Sequence, residues 1–198
     1  MRIISGRFKG QQIASPQSVT RPTTDRAKEA IFSHLESHGF LAEARVLDLY
    51  AGTGALGFEA LSRGAKLLIA VEANAAAAGL IGKTAQEILK NPASDGVAIR
   101  VMRGKAEKFA EKFAPKARES AENRAFDVVF IDPPYAVSTQ DCNNLIEKLI
   151  SAGIVAQNGT VMIERSSRSD DISPPLGWQI SQRKTYGETV VFYLENQE

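Results

Sequence analysis

Beyond a polar amino-terminal stretch, the hydrophobic positions fall into two alternating kinds of segment. Short runs that are apolar almost throughout occur at residues 45–50, 67–72, 97–103, 126–132 and 160–164. Between them, apolar side chains recur at three- and four-residue spacing over residues 55–63, 74–90, 105–113 and 139–151, which predicts helices. Strands with no polar face need cover on both sides, and alternating helices supply it, so the pattern predicts a doubly wound, mostly parallel α/β sheet. The chain closes differently. Residues 178–184 and 188–194 flank Tyr186-Gly187 and predict an antiparallel hairpin that brings the sheet to seven strands. Ahead of the sheet, Pro22-Thr23-Thr24-Asp25 offers a breaker and then helix caps. Ala27, Ala30, Ile31, His34 and Leu35 follow at helical spacing until Gly39. Residues 115–124 are polar and read as a solvent loop.

Composition adds bounds. With 198 residues, 43% hydrophobic and 24% charged, the chain can bury a core of its own. No stretch has the roughly 18 apolar residues of a membrane span, and the first ten residues lack the apolar core of a signal peptide. Cys142 is the single cysteine, which excludes a disulfide framework and a multi-cysteine metal site and leads us to expect a cytoplasmic protein. The net charge of +1 conceals an uneven distribution. Up to residue 28 the chain carries Arg2, Arg7, Lys9, Arg21, Arg26 and Lys28 against Asp25 alone, so the remainder is net acidic. Such an arm suits a polyanion, although charge alone equally describes a solvated tail. This divides the chain into a basic extension with the first helix (1–40), facing a nucleic acid, and a main domain (41–198).

Asp48-Leu49-Tyr50-Ala51-Gly52-Thr53-Gly54-Ala55-Leu56-Gly57 leaves the first strand and opens a helix, with Gly52, Gly54 and Gly57 spaced as G-x-G-x-x-G. Glycines at that spacing permit a tight turn, close approach to a ligand and close helix–strand packing. Glu72, ending the second strand, is placed to accept from ribose hydroxyls. A dinucleotide would bring its pyrophosphate near Asp48, and like charges repel. S-adenosylmethionine carries a sulfonium and an ammonium instead, which favours it over NAD(P).

The fourth strand runs into Asp132-Pro133-Pro134-Tyr135. In a doubly wound sheet this corner faces the glycine loop across the switch point. Two prolines make it stiff and remove two N–H donors. A carboxylate, rigid carbonyls and an aromatic face suit the holding of a planar base by its exocyclic amine. Asp132 and the Pro133 carbonyl would accept its two hydrogens, and Tyr135 would stack on the ring.

Together these residues resemble a known family. Asp132 to Tyr135 is similar to the [Asn/Asp]-Pro-Pro-[Tyr/Phe/Trp] motif of class I (Rossmann-like) adenosylmethionine-dependent amino methyltransferases. Arg2-Ile3-Ile4-Ser5-Gly6, Arg21-Pro22-Thr23-Thr24-Asp25-Arg26, the segment from Leu47 to Gly57, and Glu59-Ala60-Leu61-Ser62-Arg63-Gly64-Ala65 resemble the bacterial small-subunit ribosomal RNA guanine-N2 methyltransferases over nearly the whole chain. The resemblance implies methyl transfer to N2 of one guanine in 16S rRNA, in an assembled or protein-bound particle, by a monomer that needs no metal. It implies Asp132, Pro133, Pro134 and Tyr135 as the catalytic corner. It implies Asp48, Tyr50, Ala51, Gly52, Thr53, Gly54, Gly57, Glu72, Ala106 and Asp132 around the cofactor. Arg2, Arg7, Lys9, Arg21, Thr23, Thr24 and Arg26 would meet RNA. Where many methyltransferases carry Asp just after the third strand, this chain has Lys105-Ala106. The alternatives are a DNA adenine-N6 or cytosine-N4 methyltransferase, disfavoured by the small surface left for reading bases, and a non-catalytic RNA-binding module, which would not need both motifs. His34 and His38 are spaced i, i+4, but no third ligand accompanies them, so they are expected to be structural or surface residues.

Overall fold

Five of the apolar runs become the parallel part of one sheet: β1 (Arg45–Leu49), β2 (Leu67–Glu72), β3 (Ala98–Arg103), β4 (Phe126–Ile131) and β5 (Val155–Ser166). The computed structural model describes residues 1–15, 25–113 and 125–197. The hairpin of β6 (Trp178–Tyr186) and β7 (Thr189–Asn196) completes seven strands in the order β3-β2-β1-β4-β5-β7-β6. The order reverses between β1 and β4, which places a ligand crevice at their carboxyl ends. Helices α1 (Asp25–Ser37), α2 (Ala55–Ser62), α3 (Ala75–Leu89), α4 (Ala106–Lys112) and α5 (Thr139–Ser151) cover the two faces.

Side-chain alternation along the central strands divides the core in two. Val46, Val128, Phe130 and Met162 point to the face packed by Phe32 of α1, Phe58 of α2 and Ile81 of α3. Leu47, Val129, Ile131 and Ile163 point to the other, against Phe109 of α4 and Leu145 of α5. Two strands depart from the sequence reading. β3 is an edge strand whose Arg100 and Arg103 are exposed, so it is not apolar throughout. β5 begins at Val155, five residues earlier than expected, because an irregularity in its pairing with β4 lets Gln157-Asn158-Gly159 stay in the strand.

The basic arm is not a solvated tail over its described part. Ile3, Phe8 and Ile13 are buried in the same cluster as Phe32 and Val46, so residues 1–15 and α1 share a core with the sheet. The fully buried Glu59 carboxylate of α2 accepts from the Ile4 and Ser5 amides at 2.9 and 3.0 Å and from Arg63 Nε at 2.9 Å. At Gly6 (φ 78°) a β-carbon would stand 1.9 Å from the Ser62 carbonyl oxygen, so only glycine fits. Arg7, expected at RNA, donates through Nε and Nη2 to the carbonyls of Leu61 and Ala65 at 3.1 and 2.9 Å. Arg7 is exposed, and these bonds hold its side chain against the end of α2. Lys28 is buried beside Asp25 at 3.5 Å. Arg2, Lys9 and Arg26 are exposed, while Arg21, Thr23 and Thr24 lie outside the described residues.

Removing the Glu59 carboxylate leaves two amides and a buried guanidinium short of an acceptor. Glu59→Ala is therefore expected to cost about 3 kcal/mol in denaturant unfolding and to release the Ile4 and Ser5 amides to hydrogen exchange. Unchanged protection at those two amides would contradict this anchoring.

Candidate active site

The carboxyl ends of β1, β2 and β4 open into one cavity of about 740 Å³. Its wall brings Tyr50 and Gly52 of the glycine loop together with Glu72, with Gly104 to Glu107 at the start of α4, and with Asp132 to Tyr135. Two motifs 80 residues apart in sequence thus face one space, as the switch point requires.

Local geometry fixes each wall. Tyr50 is held at φ 57°, unfavourable for a bulky residue, and its hydroxyl donates to Glu107 Oε1 at 2.7 Å, tying the loop to α4. Glu72 spans the rim: Oε2 accepts from the Gly52 amide at 2.9 Å and Oε1 from the Asn74 amide at 2.7 Å. Asn74 then caps α3 through the Ala76 and Ala77 amides. Beyond the prolines, the Val137 amide donates to the Pro134 carbonyl at 2.9 Å. The Val137 carbonyl accepts from Arg165 Nη2 at 2.9 Å, so the loop after the corner is tied to β5. Tyr135 is 64% exposed at the mouth, an aromatic face free to stack.

The structure does not bring every expected residue to the cavity wall. Ala51, Thr53 and Gly54 lie behind it, and Thr53 Oγ1 contacts Met1 Sδ at 3.8 Å, beside the amino-terminal arm. Gly57 serves packing: a β-carbon there would meet Leu68 at 2.5 Å. Asp48 is buried beneath the loop, where Oδ2 accepts from the Gly57 amide at 3.0 Å. Burial is the main cause that raises the Asp48 carboxyl to about 7; the Gly57 bond opposes it and the charge of Glu72 adds to it. Asp132 is also pushed well above the ordinary carboxylate range, by burial first and then by Glu164 and Asp48.

Sequence reasoning missed Glu164, Glu107 and Arg165. A signal for the first was present: Asp48, Glu72, Asp132 and Glu164 are all acids at or next to the carboxyl end of an apolar strand. His34 packs on Tyr193 with ring centroids 4.1 Å apart, and among the described residues no group of three or more His, Cys, Asp or Glu could hold a metal ion. Among them, too, no helix is long and apolar enough to cross a membrane.

Residues 1–195 match the family model described as Conserved hypothetical protein 95. Ribosomal RNA small subunit methyltransferase D of Escherichia coli K12 is 31% identical, over 100% of this chain and 90% of that protein. The chain belongs to this small-subunit ribosomal RNA methyltransferase family. The protein of the same name from Haemophilus influenzae is 28% identical over 94% of this chain and 89% of its own. Among solved structures, "Putative methyltransferase yhhF from Escherichia coli" superposes with a TM-score of 0.78 at 27% identity, covering 99% of this chain and 97% of that one. The seven-stranded class I methyltransferase fold is therefore shared by the family along the whole chain.

Proposed function

We propose that the protein transfers a methyl group from S-adenosylmethionine to the exocyclic N2 of a guanine in small-subunit ribosomal RNA, within an assembled or protein-bound particle. The observation that carries this reading is the single cavity shared by the Gly52–Glu72 rim and the Asp132–Tyr135 corner. One half suits an adenosine-bearing cation, the other a flipped base. Relatives named as small-subunit ribosomal RNA methyltransferases supply the substrate class.

The residues present fit that cofactor. Glu72 is positioned on the glycine loop for ribose hydroxyls, Val71 and Ala106 offer apolar wall, and the acids at the strand ends favour a cation. The cofactor supplies an electrophilic methyl on sulfur. The chain's residues place the nucleophile. The amine lone pair of a base is delocalised into its ring, so the amine must be held in a reactive geometry. The Asp132 carboxylate and the Pro133 carbonyl each accept one amine hydrogen, which favours a pyramidal nitrogen. Tyr135 stacks on the ring, and the stiff proline pair keeps the acceptors aimed, so catalysis is largely positioning. Asp132, with its raised proton affinity, is also placed to take the proton that the nitrogen must lose.

The test is labelled-methyl transfer to small subunits from cells lacking the protein, followed by nucleoside analysis. N2-methylguanosine is expected; N6-methyladenosine, or no transfer, would overturn the reading. Arg2 and Lys9, exposed on the arm, and Arg26, exposed on α1, are proposed phosphate contacts. The double variant Arg2→Glu, Lys9→Glu is expected to weaken subunit binding and to lower its salt dependence by about two counterions, while leaving cofactor affinity unchanged. An unaltered salt slope would remove the arm from the interface.

A further inference from the structure

Two acids of the cavity wall are not used by this mechanism: Glu107, which holds the Tyr50 hydroxyl, and Glu164. Glu164 follows Ile163, and the last in-register pair of β4 and β5 is Ile131 with Ile163. Asp132 and Glu164 therefore occupy the next register position, on adjacent strands roughly 5 Å apart. Alternation fixes their side of the sheet. Phe130 and Met162, two residues earlier, both belong to the cluster under α1 and α2, whereas Ile131 and Ile163 belong to the opposite one. Both acids line the cavity with Pro133, Pro134 and Tyr135, and both are half-buried. The corner that receives the base thus presents two neighbouring acceptors.

That pairing distinguishes among the bases. The amine of guanine lies between two ring nitrogens, N1–H, a donor, and N3, an acceptor. The amines of adenine and cytosine are flanked by a bare ring nitrogen, an acceptor. With the N1 edge of guanine or adenine, or the N3 edge of cytosine, toward β5, a base held by its amine at Asp132 sets that ring position against Glu164. There a carboxylate matches N1–H of guanine and opposes the lone pair of adenine N1 or cytosine N3. A half-buried acceptor facing another acceptor loses its water without gaining a partner, which is the strong form of discrimination in polar sites.

Resting on the proposed guanine-N2 reading, we infer that Glu164 is the specificity residue of the site, accepting from N1–H of the target base while Asp132 accepts from N2–H. Asp132 and Pro133 address any exocyclic amine; Glu164 narrows the choice to the base whose amine has a donor beside it. The crowding of Asp132 by Glu164 is consistent with this role, since a row of donors relieves it.

The test compares two substrates that share the C2 amine. Small subunits are reconstituted with guanine, or with 2-aminopurine, at the position mapped by the transfer assay. In 2-aminopurine N1 is an acceptor. The unmodified enzyme is expected to favour guanine by at least a hundredfold in kcat/KM. Glu164→Gln, whose amide can donate to N1 of 2-aminopurine, is expected to lower the guanine rate and to shrink the preference at least tenfold. The ratio is measured within one preparation, so partial misfolding cancels from it. A preference unchanged within twofold in Glu164→Gln would overturn the assignment, as would a variant that weakens cofactor binding while keeping the preference. If the unmodified enzyme makes no N2-methylguanosine on the guanine subunits, the reading on which the assignment rests is what fails.

Discussion

Asp132→Ala is expected to reduce methyl transfer by about a thousandfold while raising the thermal midpoint above pH 8 by a few degrees. The loss follows from removing an acceptor aimed at the reacting nitrogen, an effect on the order of 10²–10³-fold when one such group is deleted from a preorganised site. The gain in stability follows from the environment of the carboxyl. Burial, Glu164 and Asp48 all hold its proton to higher pH in the folded chain than in the unfolded one. The folded state then binds more protons, so stability falls as pH rises above the ordinary carboxylate range and stays low once the group has ionised. Deleting the carboxylate removes that cost. Asp132→Asn separates the two roles: it keeps an oxygen acceptor without the charge, so it should share the thermal gain but lose only about tenfold to a hundredfold in rate. Single-turnover transfer and melting at pH 6 and pH 8 measure both effects. An Asp132→Ala enzyme within tenfold of the original rate would exclude Asp132 from the chemistry.

Such a trade of stability for function also explains which parts of the molecule could be read in advance. Apolar runs such as 126–131 have one way to be buried in a chain that alternates with helices, so sheet, helices and switch point were legible. The same holds for the two motifs, because the topology brings the ends of β1 and β4 together. What the sequence did not disclose depends on where a side chain's partners come from. Arg7 reads as a free cation until its donors meet the Leu61 and Ala65 carbonyls, 54 and 58 residues away. Asp48 reads as a cofactor ligand, but strand alternation turns it under the loop onto the Gly57 amide. The strand start at Val155 was hidden by Asn158-Gly159, a pair that ordinarily signals a turn and here sits beside an irregularity in the strand pairing. Glu164 was obscured by its setting, a single acid after Val161-Met162-Ile163 that reads as the end of a strand until the adjacent Asp132 gives it a purpose.

Asp48 provides the second large effect, because its carboxyl is almost wholly shut off from solvent. The protein is expected to lose stability steadily between about pH 4 and pH 7, and Asp48→Asn is expected to remove about half of that loss, Asp132 carrying the rest. The carboxyl is buried under the glycine loop with one hydrogen bond, from the Gly57 amide. Its rise from 3.8 to about 7 corresponds to roughly 4 kcal/mol as an upper value, using about 1.4 kcal/mol for each pH unit. Below pH 4 the group is protonated in both states and contributes no difference. Between 4 and 7 the folded state keeps a proton that the unfolded state has released, so stability falls with rising pH; above 7 both are ionised and the full cost persists. Asparagine can still accept from Gly57 through its carbonyl oxygen, so the variant keeps the loop in place without the buried charge. The same substitution should weaken binding of a cationic cofactor, since the Asp48 carboxylate lies just beneath the cavity floor and ionises more readily with a positive charge above it. Calorimetry at pH 7 in buffers of different ionisation enthalpy should then show proton release on cofactor binding to the original protein and less of it to Asp48→Asn. Equal release from the two proteins, with parallel stability profiles from pH 4 to pH 8, would place the titrating group elsewhere.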